Sequence, residues 1–209
     1  MIKCLKAFIL TFSLVLAAPM TMAQEQPKVG RDAAARYFQS DVEAAPQFNG
    51  GGDLYLALHL GKYMSNQAYE WKGTGKREDV GEAMVGLTYR VGEWYNSMDL
   101  NIRIDFQEFD LDDKKPLKMS LMPLITFPDA GSRFPLYFGA GAGLGVFFKQ
   151  VEDESSISLD YQLVLGARFF DVFENTGFFI ESGLKNHLHL LSSGQLNGTF
   201  LTLGAVFTF

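Results

Sequence analysis

Apolar residues alternate with polar or small residues through most of the chain after residue 53. The alternation falls into eight segments, at residues 54–63, 82–91, 98–107, 118–127, 136–148, 159–169, 178–188 and 199–209. In the third segment, every even-numbered residue is apolar and every odd-numbered residue is polar or charged. Successive side chains of a β-strand point to opposite faces. The pattern therefore predicts eight strands, each with one apolar and one polar face.

Three segments depart from a simple alternation. The fifth has glycine at positions 139, 141, 143 and 145, which is unfavourable in a helix and fits the small-residue face of a strand. The fourth contains Pro123, and we expect a bulge there because proline cannot donate a ladder hydrogen bond. The seventh places Ser182 and Asn186 on the same face as Ile180 and Leu184.

Residues 1–23 have the three parts of an export signal. Lys3 and Lys6 precede an apolar stretch at residues 7–18, and Ala23 ends a small-residue cleavage site. The only cysteine, Cys4, lies within this signal, so a disulfide framework is not expected in the mature protein. Residues 24–52 form a predicted periplasmic leader with a possible short helix at residues 31–38. This leader is either mobile or rests against the membrane or the barrel mouth.

Composition supports a membrane barrel over other classes. The chain has 19 Phe, 8 Tyr and 21 Gly among 209 residues, and only 20% of its residues are charged. No segment after the signal is apolar for long enough to form a transmembrane helix. The net charge is −6 and there is no basic patch, so nucleic acid is not an expected partner.

The alternating segments, the glycine-rich residues 137–143 and the terminal run 199–209 resemble the small eight-stranded outer-membrane barrels of Gram-negative bacteria. This class includes OmpX and the membrane domain of OmpA. The resemblance covers residues 53–209 and implies an all-β, antiparallel, transmembrane up-and-down barrel. It also implies that outer-membrane lipid and lipopolysaccharide surround the protein and that the barrel-insertion machinery recognises its last strand. The outward residues of that insertion signal are Leu201, Leu203, Phe207 and Phe209.

The connections between the predicted strands alternate in character. Those after strands two, four and six are compact turns, and those after strands one, three, five and seven are longer or more charged. Transmembrane barrels place short turns in the periplasm and longer loops outside. With an even number of strands, both mature termini are predicted to be periplasmic.

The polar face of the predicted strands carries equal numbers of acidic and basic residues. These are Glu82, Asp99, Asp105, Asp160 and Glu181 with Arg90, Arg103, Lys118, Arg168 and Lys185. An eight-stranded barrel is only wide enough for side chains to fill, and buried charges persist when they are paired. We therefore predict an interior of ion pairs without a continuous pore. Turn positions place Arg90 opposite Asp99 and Arg168 opposite Glu181.

Candidate catalytic chemistry is limited to His187, His189 and Ser192, near the predicted outer rim. Some barrels of this size process lipid A and resemble one another in carrying a histidine, a serine and an acidic group there. Their His-x-Ser pattern is absent from this sequence, so we interpret both histidines as interior or rim residues. No cofactor and no protein metal site is predicted. We hypothesise that acidic loop residues engage divalent ions that bridge lipopolysaccharide phosphates; these are Asp110, Asp112, Asp113, Glu152, Asp153 and Glu154.

The sequence thus predicts a non-enzymatic integral outer-membrane barrel with a structural or surface-interaction role. Two alternatives remain open. One is a narrow channel for small solutes, for which the inward glycines of the fifth segment would leave room. The other is a lipid A-modifying hydrolase or acyltransferase.

Overall fold

The computed structural model of the protein describes residues 54–111, 115–132, 134–149, 151 and 153–209. The predicted export signal at 1–23 and the leader at 24–52 lie outside these residues, as do Asp112, Asp113 and Glu152. Within the described residues, no helix has the length and apolar character needed to cross a membrane. All eight segments predicted to be strands are described.

The described residues form one closed sheet. Its strands are β1 (Tyr55–Tyr69), β2 (Arg77–Glu78), β3 (Gly81–Tyr95), β4 (Met98–Phe109), β5 (Leu117–Phe127), β6 (Leu136–Phe147), β7 (Ile157–Phe173), β8 (Thr176–His189) and β9 (Gln195–Thr208). The two-residue strand β2 pairs with β1 alone. The other eight pair antiparallel in chain order, and β1 also pairs with β9, which closes the ring. The predicted eight-stranded antiparallel barrel is confirmed.

The barrel has two different ends. One end, the turn end, carries Leu54, Phe209 and the connections at residues 96–97, 128–135 and 174–175. The opposite end, the loop end, carries the connections at 70–80, 110–116, 148–156 and 190–194. The expected alternation of short and long connections has one exception, because 128–135 is longer than both 110–116 and 190–194.

The two faces of the wall have opposite polarity. On β4, every odd-numbered residue from Asp99 to Phe109 is buried and the even-numbered residues are partly exposed. Apolar side chains cover the outside; Phe138, Leu163 and Leu203 are 58%, 54% and 55% exposed. The interior holds buried arginine, lysine, histidine and carboxylate side chains. The wall is therefore inverted relative to a water-soluble protein, as the alternation predicts.

Two local features set the strand register. Asn96 and Ser97 have φ of 41° and 65°, and positive φ at both central residues is the signature of a two-residue type I′ hairpin turn between β3 and β4. On β7, a register shift between Phe169 and Phe173 displaces its pairing with β8 relative to the turn at 174–175.

The bulge expected at Pro123 is absent. Pro123 stays in register opposite Ile102, and the β5–β6 ladder keeps one register while its pairing is interrupted at residues 122 and 123. The missing N–H of proline is thus accommodated by an interrupted ladder, with no inserted residue. Close strand approach explains a nearby glycine: a Cβ at Gly143 would lie 2.1 Å from Leu121 O.

Candidate functional site

Three charged side chains lie inside the barrel nearest the turn end. The buried Asp99 carboxylate accepts hydrogen bonds from Arg90 Nε at 2.7 Å and from the Ala130 backbone N–H at 2.8 Å. Arg168 Nη1 lies 3.5 Å from the second Asp99 oxygen, and Arg168 Nη2 donates to the Pro128 carbonyl at 2.8 Å. Because Pro128 and Ala130 belong to the β5–β6 connection, these bonds hold that connection against the barrel mouth.

The next layer contains a bidentate ion pair. Arg103 Nη1 and Nη2 donate to the two Glu181 carboxylate oxygens at 2.6 and 2.9 Å. Tyr137 Oη also donates to Glu181 at 2.8 Å, and Arg103 Nε donates to Thr88 Oγ1 at 2.9 Å. The fork of a guanidinium matches a carboxylate in this geometry, which fixes both groups. A cavity of about 20 Å³ beside this pair has room for about one water molecule.

Asp105 occupies the middle of the barrel between two basic side chains. His59 Nε2 donates to Asp105 Oδ1 at 2.8 Å, and Lys185 Nζ donates to Asp105 Oδ2. All three residues are buried. One carboxylate therefore joins β1, β4 and β8 across the interior.

Asp160 is the centre of a larger network toward the loop end. Its Oδ1 accepts hydrogen bonds from Lys118 Nζ and, at 2.7 Å, from Ser158 Oγ. Its Oδ2 accepts a hydrogen bond from Ser120 Oγ. His187 Nδ1 lies 2.9 Å from Asp160 Oδ1 and is also in contact with Lys118 Nζ. Four side chains thus surround one carboxylate.

One arrangement of protons links these side chains into a ring of hydrogen bonds. If His187 is neutral with its proton on Nε2, it donates to Tyr63 Oη at 2.7 Å, and Tyr63 donates to Gln107 Oε1 at 2.9 Å. Gln107 Nε2 donates to Ser120 Oγ at 3.1 Å, and Ser120 donates onward to Asp160. Lys118 closes the ring by donating to His187 Nδ1. Tyr63, Gln107 and Ser120 then each accept one hydrogen bond and donate the next along the ring.

An aromatic cluster closes the interior at the loop end. Trp71 comes from the β1–β3 connection and is fully buried. Its ring lies 5.4 Å from Phe109, 6.0 Å from Phe147 and 5.3 Å from His189, measured between centroids. Phe109 also contacts the ring of His187 at 5.8 Å. Trp71 therefore sits above the Asp160 network and separates it from the loop end.

Glu154 links the connections around Trp71. Its Oε1 accepts the Lys72 backbone N–H at 3.2 Å. Its Oε2 accepts hydrogen bonds from Ser192 Oγ and, at 3.2 Å, from the Gly194 backbone N–H. Glu154 is 4% exposed and lies on the β6–β7 connection. One carboxylate thus holds three loop-end connections together.

The structure places nine of the ten predicted interior charges inside the barrel, each at most 8% exposed. The exception is Glu82, which is half-buried and makes no ion pair with another described residue. The cause is a register shift between Gly81 and Met84. Gly81 and Met84 are both buried although their positions differ by three, an odd number, so the two-residue alternation is broken between them. Glu82 lies within this break and does not point into the interior with the other charges.

The predicted cross-strand pairs need correction. Arg90 contacts Asp99 but lies opposite Asn101, so it reaches the carboxylate diagonally. The predicted Arg168–Glu181 pair is wrong, because Arg168 lies opposite Phe179 and binds Asp99. The register shift in β7 moves Arg168 away from Glu181.

The catalytic candidates do not form one site. His187 belongs to the buried Asp160 network, and His189 Nδ1 donates to the Ser155 carbonyl at 2.7 Å. Ser192 donates to Glu154 and accepts the Ser155 N–H at 3.0 Å. No hydrogen bond joins Ser192 to either histidine among the residues that the structure describes. Ser192 is therefore engaged in holding Glu154 and has no histidine base in contact.

The predicted acidic rim is also altered. Asp110 and Asp153 are exposed, whereas Glu154 is buried and bonded, so it does not belong to the rim. Asp112, Asp113 and Glu152 lie outside the described residues. In the described part of the chain, no three His, Cys, Asp or Glu side chains form a group that could hold a metal ion.

The residues of the predicted insertion signal lie together on the outside of the last strand and directly after it. Leu201, Leu203 and Phe207 point outward on β9, and Phe209 follows it directly. The Phe209 ring stacks on Tyr89 of β3 with centroids 6.3 Å apart.

Sequence reasoning missed Trp71, Tyr63 and Gln107 as functional residues, and it assigned Glu154 to the acidic rim and not to the buried contacts around Trp71. Tyr63 and Gln107 follow the inward alternation of their strands and could have been included with the charges. Trp71 and Glu154 lie in connections, where alternation gives no signal. An aromatic residue within the charged residues 70–80 was the only clue to Trp71.

Comparison with known proteins gives matches to solved structures only. No protein-family model matches the sequence, and no curated protein matches it. The chain is similar to the outer membrane enzyme PagL, with a TM-score of 0.46, 15% identity, and coverage of 71% of this chain and 97% of that chain. It is also similar to Neisserial surface protein A (NspA), with a TM-score of 0.44, 14% identity, and coverage of 75% and 97% respectively. At these levels, neither protein assigns a site residue to this chain.

Proposed function

We propose that the protein is a non-enzymatic integral barrel of the bacterial outer membrane, with a structural or surface-interaction role. The observation that carries this proposal is the inverted wall, in which exposed leucine and phenylalanine side chains surround buried ion pairs. An apolar band outside and a polar interior are the defining pattern of transmembrane barrels. In water, the same outer surface would be a large uncovered apolar area.

The interior supports a sealed barrel over a channel. The Arg103–Glu181 pair, the Asp105 pairings and the Asp160 network fill successive layers of the interior. The space beside the β6 glycines is occupied, because a Cβ at Gly145 would lie 2.2 Å from the Lys118 side chain. Trp71 covers the loop end, and the β5–β6 connection covers the turn end. A small-solute path would require these elements to move.

A hydrolase is less well supported than a structural role. Ser192 bonds Glu154, and His189 bonds a backbone carbonyl. The usual activating base of a serine nucleophile is a histidine, and among the described residues no histidine is hydrogen-bonded to Ser192. We infer that the loop end faces the cell exterior and the turn end the periplasm, since all four connections of the loop end are longer than the two-residue turns at 96–97 and 174–175.

Two matched substitutions test the membrane assignment. Leu163→Arg places a charge on the outside of β7, and Leu191→Arg places the same charge at the loop end, where Leu191 is 79% exposed. In lipid vesicles, we expect Leu163→Arg to lower the free energy of unfolding by about 2–4 kcal/mol, because arginine at the lipid midplane loses its hydration. We expect Leu191→Arg to change it by less than about 0.5 kcal/mol.

The measurement is urea unfolding of the mature chain in vesicles, followed by far-ultraviolet circular dichroism. The assignment as an integral membrane protein would be contradicted if both variants lowered the free energy of unfolding equally, or if the monomer stayed soluble without detergent.

A further inference from the structure

The outer wall of the barrel is apolar on five strands and partly polar on three. The outward residues of the spans 85–91, 100–106, 119–127, 136–146 and 157–169, on β3 to β7, are all apolar or tyrosine. Strands β8, β9 and β1 instead present polar side chains outward, including Gln67, Ser182, Gln195 and five others that the strand register groups together. These five residues, the wall patch, are Lys62, Ser65, Asn186, Asn197 and Thr199. Within these spans, the polar outward residues lie on adjacent strands, and beyond them β4 presents Glu108 outward at its loop-end terminus.

Strand register makes the wall patch contiguous. Asn186 lies directly opposite Asn197, and Thr199 lies directly opposite Ser65. Lys62 pairs with Leu201, which places it diagonally from Thr199, within reach of a long side chain. Asn197 and Thr199 share one face of β9. One surface area therefore carries an ammonium group, two carboxamides and two hydroxyls.

The donors of the wall patch are largely unused by the protein. Lys62, Asn186 and Asn197 make no hydrogen bond or ion pair with another described residue, whereas Thr199 donates to the Ser65 carbonyl. Polar groups facing the hydrocarbon of a bilayer are costly without a partner. Their position toward the loop end lets Lys62 extend along the apolar wall to the membrane interface. In the proposed orientation, the patch therefore lies toward the interface of the outer leaflet.

Charge distinguishes the possible occupants. Among the central outward positions of the eight barrel strands, Lys62 is the only cation that the structure describes. A second copy of this chain, joined through the same patch by twofold symmetry, would bring two Lys62 ammonium groups together, which is unfavourable. A phosphate supplies the opposite charge and several acceptor oxygens for the carboxamide and hydroxyl donors.

We propose that the wall patch binds the phosphate-bearing headgroup of a membrane lipid, with Lys62 as the charged contact and Asn186 and Asn197 as neutral donors. This inference rests on the proposed membrane location and adds a specific lipid contact to it. The bound lipid occupies one side of the barrel, across the β8–β9–β1 seam.

Native mass spectrometry of the mature barrel in detergent tests this site with bisphosphorylated lipid A and its dephosphorylated derivative. We expect the bisphosphorylated lipid to bind and the dephosphorylated one to bind about tenfold more weakly. Lys62→Ala is expected to weaken binding of the phosphorylated lipid by about tenfold, and Lys62→Arg to restore most of it.

Lys115→Ala is the matched control, since it removes an exposed loop-end lysine outside the patch. Binding unchanged by Lys62→Ala, or lowered equally by Lys115→Ala, would overturn the proposal. Full competition by inorganic phosphate at equal concentration would show a free-phosphate site instead of a lipid site. A dimer dissociated by Asn197→Leu would assign the patch to a second copy. Failure of the membrane assignment would be distinguished from this, because Leu163→Arg and Leu191→Arg would then lower the free energy of unfolding equally.

Discussion

The two halves of the barrel interior are held together by different chemistry. In the turn half, the cations are arginines, and Arg103 meets Glu181 through two parallel hydrogen bonds. In the loop half, the cations are lysines, and Asp160 shares Lys118 with a ring of neutral side chains. An aromatic cluster closes the loop half, whereas backbone groups of the β5–β6 connection close the turn half.

This difference shows two ways of burying charge in a narrow barrel. Loss of Arg103 removes both parallel hydrogen bonds and the cation bound to Glu181, and leaves that buried carboxylate with Tyr137 as its side-chain donor. A carboxylate in a network keeps other donors when one is lost. The turn half should therefore be the less tolerant of single substitutions.

The largest expected effect comes from a matched pair of substitutions to methionine. We expect Arg103→Met to lower the free energy of unfolding by about 3–5 kcal/mol, because Glu181 then loses its buried ion-pair partner. We expect Lys118→Met to cost about 1–3 kcal/mol, because Asp160 keeps the hydroxyls of Ser120 and Ser158. Urea unfolding in detergent micelles measures both values.

Lys115→Met serves as the control, since its exposed ion pair with Glu108 spans 3.8 Å and should contribute at most about 1 kcal/mol. A Lys118→Met loss equal to or greater than that of Arg103→Met would remove the distinction between the two halves.

A smaller effect is expected at the loop end, where Glu154 holds the connection that carries Trp71. The chain has two tryptophans, and Trp94 is exposed, so Trp94→Phe leaves Trp71 as the single reporter. In that background, we expect Glu154→Gln to increase acrylamide quenching of Trp71 fluorescence. The amide replaces one oxygen that accepts hydrogen bonds from the loops.

The Glu154→Gln substitution should lower the free energy of unfolding by only about 1 kcal/mol, which is the typical contribution of a hydrogen bond. Asp153→Asn, a neighbouring exposed carboxylate, is the comparison variant and should leave quenching unchanged. Unaltered quenching in Glu154→Gln would mean that packing alone holds Trp71.

Alternation predicted the eight strands and most inward residues, and the resemblance to small outer-membrane barrels supplied their closure into an antiparallel barrel. The period of two assigns Arg103, Asp105 and Lys118 to the interior without knowledge of any turn. To predict which charges pair, the exact strand register is also needed. One register shift in β7 separates Arg168 from Glu181, and another in β3 moves Glu82 out of the inward-facing positions. Bulges are set by local backbone geometry, which the hydrophobic pattern does not encode.

The loop-end elements were unpredictable for a different reason. Trp71 and Glu154 come from separate connections and meet only after the barrel closes. Contacts between connections have no sequence period, so neither residue stands out among the charged residues around it. Ser192 illustrates the same limit, because its proximity to His189 in sequence does not bring their side chains into hydrogen-bond contact.

Planar-bilayer conductance of the purified mature barrel tests the central claim most directly, namely that the interior is sealed by paired charges and closed at both ends. The account predicts a baseline without stepwise currents at moderate voltage and high salt, because layered ion pairs and Trp71 leave no continuous water path. A steady conductance that scales with salt concentration would contradict a sealed interior and establish the channel alternative.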